Sequence, residues 1–276
     1  MTLVKHNTMH NFLHSKSNIS ELDYSIESSS ERRDIIIKKY DTLNIKNYNR
    51  KTSFNAILIT SDNKIIIAER KFSYYMDTIY IISTYKNISD DILETFIKLF
   101  DKLTNKEKYN IYNKKRINKK YISIINFIEV YFDGNINHKY LQYLYNVKSR
   151  IILNNNFRYR DKFLILPGGK KNNNENINEV ISRESHEEIN IPINNQDNNN
   201  IDIMQDYYSE TIIFDKILSK KFIDVTIIAK IKYSSIQILN FFKPNHEISN
   251  IKFIPINKIN SMIDIFYYVQ KQLIYC

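Results

Sequence analysis

The sequence predicts an α+β fold: a mixed sheet sandwiched by helices, with an N-terminal extension over residues 1–50 and a helical insertion over 86–155 that splits the main domain into 51–85 and 156–276. Two observations carry that prediction. Short β-branched runs bounded by turn residues lie on both sides of the insertion, whereas the insertion repeats apolar residues at helical spacing. Of 276 residues, 43% are hydrophobic and 13% aromatic, which supports a sizeable core and excludes global disorder.

The elements follow in order. Residues 1–50 are polar and mixed apart from Ile35-Ile36-Ile37, which reads as a strand or a helix packed on the main body. Phe54–Ile59 and Lys64–Glu69 are separated by Ser61-Asp62-Asn63, whose short polar side chains imitate backbone turns, so the pair predicts a hairpin. Ser89 caps a helix with the stripe Ile92, Phe96, Leu99, Phe100 and Leu103. Tyr121–Phe132 and His138–Leu153 read as two more helices, divided by Asp133-Gly134-Asn135. Phe163–Leu166 returns to strand ahead of Pro167-Gly168-Gly169, and a helix is expected over Asn178–Ile189. A low-complexity loop, Asn194–Asn200, leads to strands near Ile203–Ile213 and Phe222–Ile231, then Phe253–Pro255 and an amphipathic helix through Tyr268.

Composition narrows the setting. The one cysteine, Cys276, rules out an intrachain disulfide framework and suits a reducing compartment. The first twenty residues carry Lys5, His6, His10, His14 and Lys16 with no apolar core between them, unlike a secretory signal. No stretch reaches the roughly 18 uncharged apolar residues of a membrane span. A soluble, cytoplasmic protein is expected. Lys and Arg number 40 against 30 Asp and Glu, a formal charge of +10. Asn, Ile and Lys are all inflated and share AT-rich codons, so the charge reads two ways: a Lys-rich solvated surface, or a face for a polyanion. Lys114-Lys115-Arg116 with Lys119-Lys120, inside the insertion, is where the phosphates of a nucleic acid would run on such a face.

The stretch that carries chemistry begins Gly169-Lys-Lys-Asn-Asn-Asn-Glu175 and, seven residues later, continues Arg183-Glu184-Ser185-His186-Glu187-Glu188-Ile189-Asn190-Ile191. On a helix Glu184, Glu187 and Glu188 stand at i, i+3 and i+4, so three carboxylates share one face with no Lys beside them. A hard divalent cation relieves that repulsion, because Mg2+ and Mn2+ prefer carboxylate oxygen and keep sites for phosphate and water. The bland alternative is a solvated acidic face; Glu175 and the Gly168-Gly169 turn upstream weigh against it.

This arrangement resembles the signature of the Nudix hydrolases: glycine, five residues, Glu, seven residues, Arg-Glu, two residues, Glu-Glu. Fixed positions of this number, each at usage of about 5–7%, match by chance on the order of once in ten million starts. Ser185 departs from the signature where an aliphatic usually anchors the helix, and Asn190 stands where Gly is usual, although Asn is the next best residue in a left-handed cap. Beyond the box, Phe54–Tyr75, Leu166–Ile191, the Asp215-Lys216 neighbourhood and Lys243-Pro-Asn-His-Glu-Ile are similar to the mRNA-decapping Nudix hydrolases of poxviruses. AT-rich codon usage fits a large cytoplasmic DNA virus.

The resemblance implies an α/β/α Nudix sandwich and a hydrolase of capped mRNA. It would cleave within the cap triphosphate, releasing 7-methyl-GDP and 5′-monophosphate RNA, in the host cytoplasm. Mg2+ or Mn2+ would be held by Glu175, Glu184, Glu187 and Glu188, with Asp215 either a further ligand or an ordinary turn residue. Glu184 and Glu187 are then catalytic, Arg183 orients a carboxylate through a bidentate pair, and Gly168 and Gly169 let the backbone approach metal and phosphate. Glu247 is a second base or a solvated loop residue; His246 orients it or caps the next segment, and His186 lies at the surface. Tyr74 and Phe222, which lies seven residues beyond Asp215, are chosen as the aromatic faces that sandwich the cationic 7-methylguanine. Two other functions stay open: a Nudix enzyme of free nucleotides or dinucleoside polyphosphates, and a non-catalytic RNA-binding module.

Overall fold

The computed structural model describes residues 21–29, 33–40, 48, 52–133, 163–172, 174–192, 200–256 and 269, with the backbone alone for 21–28 and 205–207. Nine strands make one mixed sheet: β1 (Glu21–Ser29), β2 (Arg33–Tyr40), β3 (Thr52–Ile59), β4 (Lys64–Arg70), β5 (Phe163–Ile165), β6 (Gly168–Lys170), β7 (Ile201–Asp215), β8 (Lys220–Ile231) and β9 (Ile248–Pro255). Their order is β1-β2-β7-β8-β3-β4-β5, with β6 beside β3 and β9 beside β4. Among the described strands β3 and β8 run parallel, Thr52↔Ile223 to Ile59↔Lys230, and the remaining pairs are antiparallel. The Ile35–Ile37 run is strand: β2 pairs with β7 from Arg33↔Asp215 to Tyr40↔Tyr208. The extension therefore supplies strands to the main sheet.

The predicted hairpin forms, and how it opens decides where the site lies. Asn63 takes φ 57 in the turn, and the Thr60 hydroxyl binds both backbone groups of Lys64. Beyond Ile59↔Ile65 the two strands part. The freed edge of β3 receives Pro167, whose carbonyl accepts from Ala56 N–H at 2.8 Å, and then β6, with Asn55 opposite Gly168 and Phe54 opposite Gly169. The Gly-Gly turn is thereby wedged into the middle of the sheet.

Strand residues alternate between two faces with period two. Phe54, Ala56, Leu58, Ile66 and Ala68 face Val180, Ile181 and Ile189 of α5 (Ile177–Ile189) and Ile238 of α6 (Ser235–Phe241). Ile57, Ile59, Ile65 and Ile67 face the other way, onto Leu166, Ile228 and Val269. Central strands buried on both sides read as unbroken apolar runs, and each such side chain contributes about 1.5–3 kcal/mol of transfer energy.

A second core is helical. It is built from α1 (Tyr74–Ile82), α2 (Asp90–Asp101), α3 (Asn105–Tyr112), α4 (Lys119–Ile128) and the π-turn Glu129–Asp133. Phe96 is at its centre, with ring centroids of Phe100, Phe127 and Phe132 at 6.1, 4.7 and 5.5 Å. Helical packing begins at α1, whose Tyr75, Met76, Ile79 and Ile82 are buried here, ahead of the sequence boundary at 86. Ile217 and Leu218, from the β7–β8 turn, dock this unit onto the sheet. The expected helix His138–Leu153, loop residues 194–199 and the terminal helix through Tyr268 lie outside the described residues. No helix among the described residues is long and apolar enough to cross a membrane.

Candidate active site

Helix α5 is fixed at both ends by side chains that its own sequence supplies. Asn176 caps the N-terminus and forms a reciprocal capping box with Glu179. Asn190 takes the left-handed cap, φ 60 and ψ 29, and Ile191 N–H reaches back to the Ser185 carbonyl. Asn190 does what a glycine could not: its Oδ1 accepts from Lys243 N–H at 3.3 Å. Ser185, in place of an aliphatic, is 1% exposed, and its Oγ has no hydrogen-bond partner among the described residues.

The two glycines serve the glutamates. Gly168 N–H donates to Glu188 Oε2 at 3.0 Å. A Cβ on Gly169 would stand 2.1 Å from Glu184 Oε1, and one on Gly168 would stand 2.2 Å from the Phe54 carbonyl. The close approach that glycine permits is thus to Glu184 and to β3.

Arg183 links the remaining carboxylates. Its Nε and Nη2 donate to the two oxygens of Glu175 at 2.7 and 3.1 Å, and Nη1 donates to Glu184 at 2.6 Å and Glu187 at 3.3 Å. The hydrogen bonds from Arg183 hold the Glu175 carboxyl down at about 2. Glu184 goes the other way, raised by burial against the opposing pull of Arg183. Glu188 is pushed up to about 8, by burial first and then by the charges of Glu247 and Glu184, which the Gly168 N–H and Arg70 only partly offset. Glu184, Glu188 and Glu247 therefore form a crowded group, joined through Glu184 to the carboxylates that Arg183 clamps.

Glu247 is brought there by Asn245, not by His246. The Asn245 amide donates to the carbonyls of Glu187 and Glu188 at the end of α5, at 2.8 and 3.1 Å. Its Oδ1 accepts from the backbone of Glu247 and Ile248 at 2.8 and 2.7 Å. His246 is exposed. His186, also exposed, lies with Nδ1 3.0 Å from the Ile191 carbonyl.

Asp215 is not brought to these carboxylates. Its Oδ1 accepts from Ile217 and Leu218 N–H at 3.0 Å each, and its other oxygen faces Arg33 at 3.7 Å. It shapes the turn that docks the helical unit, which is the ordinary turn role of its two readings. The basic cluster is divided: Lys114 and Arg116 both pair with Glu129, Lys115 lies 4.8 Å from the Tyr109 ring, Lys119 is exposed, and Lys120 is tied to Asp77. Tyr74 opens α1 as a residue 52% exposed, with its ring centre 4.3 Å from the Arg70 guanidinium. Phe222 is 42% exposed on β8.

Three residues at the site were missed from sequence. Arg70 and Asn245 act through partners far along the chain. Asp224, two positions from Phe222 on the same face of β8, is a half-buried carboxyl pushed up to about 6 by desolvation, against a hydrogen bond from Ser53. A charge in the middle of a β-branched strand was the signal for it.

The donor chemistry fits a hard divalent cation: clustered carboxylates, two of them with pKa raised by burial, and Glu184 seated in a cradle that any Cβ at 169 would fill. Among the described residues no three acidic, histidine or cysteine side chains form a closed cage for one ion, because Arg183 holds Glu175, Glu184 and Glu187 to itself.

No protein-family model matches the chain. An mRNA-decapping protein of Monkeypox virus is 28% identical over 213 residues, 77% of this chain and 68% of the viral protein. That of Vaccinia virus (strain Western Reserve) is 27% identical over 220 residues, with the same shares. An mRNA-decapping protein of Fowlpox virus (strain NVSL) is 33% identical over 127 residues, 44% of this chain and 54% of that protein. The chain resembles the mRNA-decapping proteins of poxviruses.

Proposed function

We propose that the chain is a Nudix-type hydrolase that removes the 5′ cap of mRNA in the cytoplasm of a host cell. The observation that carries this reading is the crowding of Glu184, Glu188 and Glu247 against the Gly168-Gly169 turn. The likeness to viral proteins named for decapping supports the substrate class.

Glu184, Glu187 and Glu188 would hold Mg2+ or Mn2+, which when bound neutralises phosphate charge and acidifies water. Arg183 keeps Glu184 at the turn and fixes Glu175 beside it. Glu247, at the rim with its side chain 38% exposed and one oxygen on Arg70, is the group to accept the proton that water loses as its oxygen bonds to phosphorus. One anhydride P–O bond of the cap triphosphate then breaks, and the products are 7-methyl-GDP and 5′-monophosphate RNA. Tyr74 offers the ring face that Arg70 leaves free to the cationic base, with Phe222 as its partner. Lys115 and Lys119 point to solvent, where RNA phosphates would run.

The test is to incubate cap-labelled RNA with the protein and Mg2+ or Mn2+ and to identify the released nucleotide. Labelled 7-methyl-GDP supports the reading. Equal turnover of free cap dinucleotide would move the enzyme to the free-nucleotide class, and binding without release would leave an RNA-binding module.

A further inference from the structure

Arg70 stands at the end of β4, where the sheet, the helical unit and the loop before β9 meet. Its side chain is 8% exposed, and its Nε is buried with no hydrogen-bond partner among the described residues. Nη2 makes both contacts: to Asp77 Oδ2 at 2.8 Å and to Glu247 Oε1. The other Asp77 oxygen takes Lys120 Nζ, so charges alternate through Lys120, Asp77, Arg70 and Glu247. The same guanidinium lies 4.3 Å from the centre of the Tyr74 ring, and the neighbouring Lys71 N–H donates to the Glu247 carbonyl at 2.8 Å.

We propose that Arg70 is a positioning residue for hydrolysis, one planar group that holds the Glu247 carboxylate beside Glu188 and backs the Tyr74 ring. A lysine in its place would supply the charge as a point on a flexible stem, without the plane that stacks on Tyr74. Asp77 and Lys120 make the helical unit the anchor of this clamp, which gives that unit a part in the chemistry without contact with the reacting atoms. The proposal rests on the reading of Glu247 as proton acceptor given above.

The experiment is a double-mutant cycle on capped-RNA hydrolysis, with kcat and KM measured separately for wild type, Arg70→Gln, Arg70→Lys, Glu247→Gln and the double variant Arg70→Gln/Glu247→Gln. Misplacement of a reacting group costs up to about a hundredfold. Arg70→Gln is therefore expected to lower kcat about tenfold to a hundredfold, and Arg70→Lys to stay nearer to it than to wild type. In the Glu247→Gln background Arg70→Gln should leave kcat unchanged, since the carboxylate it positions is gone. Losses that multiply, full activity in Arg70→Lys, or an unaffected Arg70→Gln overturn the proposal. If Arg70→Gln fails to fold, Asp77→Asn takes its place in the cycle with the same criterion of non-additivity. Absence of 7-methyl-GDP release from wild type would instead defeat the function proposed above.

Discussion

Glu107 in the helical unit and Glu188 in the candidate site are both buried, 4% and 6% exposed, yet their surroundings are opposite. Glu107 accepts from Ser73 N–H and Oγ at 2.8 and 2.9 Å and from Thr104 N–H and Oγ1 at 3.0 Å each. It closes the capping box of α3 and anchors Ser73, the N-cap of α1, in one step. Glu188 accepts from Gly168 N–H and has Glu184 and Glu247 for neighbours. Burial is common to both, so burial does not mark function. The donor supply does: one carboxylate is saturated by hydroxyls and amides, and the other sits among carboxylates that push its pKa up, so its ionised form needs a cation to balance it.

The largest expected break in that comparison is Glu188→Gln. Loss of charge stabilisation of this kind lowers rates about 10²–10³-fold or more, so cap release should nearly vanish while the thermal midpoint holds or rises. Near-normal turnover with saturating metal would remove the box from the active site. Glu107→Gln should do the reverse. It introduces an NH2 among four donors and should destabilise the protein by about 1.5–3 kcal/mol, read as a lower denaturation midpoint. Any fall in catalysis should follow the folded fraction.

The pH dependence of stability sharpens the contrast further. The folded-state pKa of Glu188, about 8, lies above its ordinary value, so its contribution is fully present below about 4.5 and is lost as pH rises through about 8. Asp224, raised to about 6, acts in the same direction over a lower window. The metal-free protein should therefore melt at lower temperature at pH 8.5 than at pH 6, and Mn2+ should recover more at pH 8.5. Glu188→Gln should flatten the profile; a metal-free midpoint that climbs between those pH values contradicts the assignment. The smallest effect belongs to Ser185→Ala. Removal of a buried hydroxyl without a partner from a helix should raise stability by about 1 kcal/mol, measured by urea unfolding, and a loss would mean that Oγ has a partner in solution.

The parts legible in the sequence are those whose determinants are local. The α5 box is a spacing rule, and the β3–β4 hairpin is two β-branched runs around Asp62-Asn63. Helix α1 went unread because Tyr74–Ile82 is apolar on most sides and has no polar stripe, with the Ser73 cap as its one mark. Helix α3 is polar enough to pass for a loop, although Thr104 and Glu107 stand at capping-box spacing. Asp215 carried two readings because a turn Asp and a ligand Asp look alike until their donors are known. Arg70, Asp77 and Glu247 could not be grouped at all, since periodicity says nothing of residues 177 positions apart.

That separation has a bearing on how the molecule is made. Helices α1 to α4 draw on near neighbours in the chain, so their core can assemble early, whereas β3 must wait for β8, and Arg70 for the loop before β9. Contacts of long sequence separation form slowly because the closing loop loses entropy before any contact offsets it. A ribosome adding about 5–20 residues each second therefore delivers all of α1 to α4 well before it delivers Glu247, and the ion pair between Arg70 and Glu247 closes only once β9 is there to pair with β4.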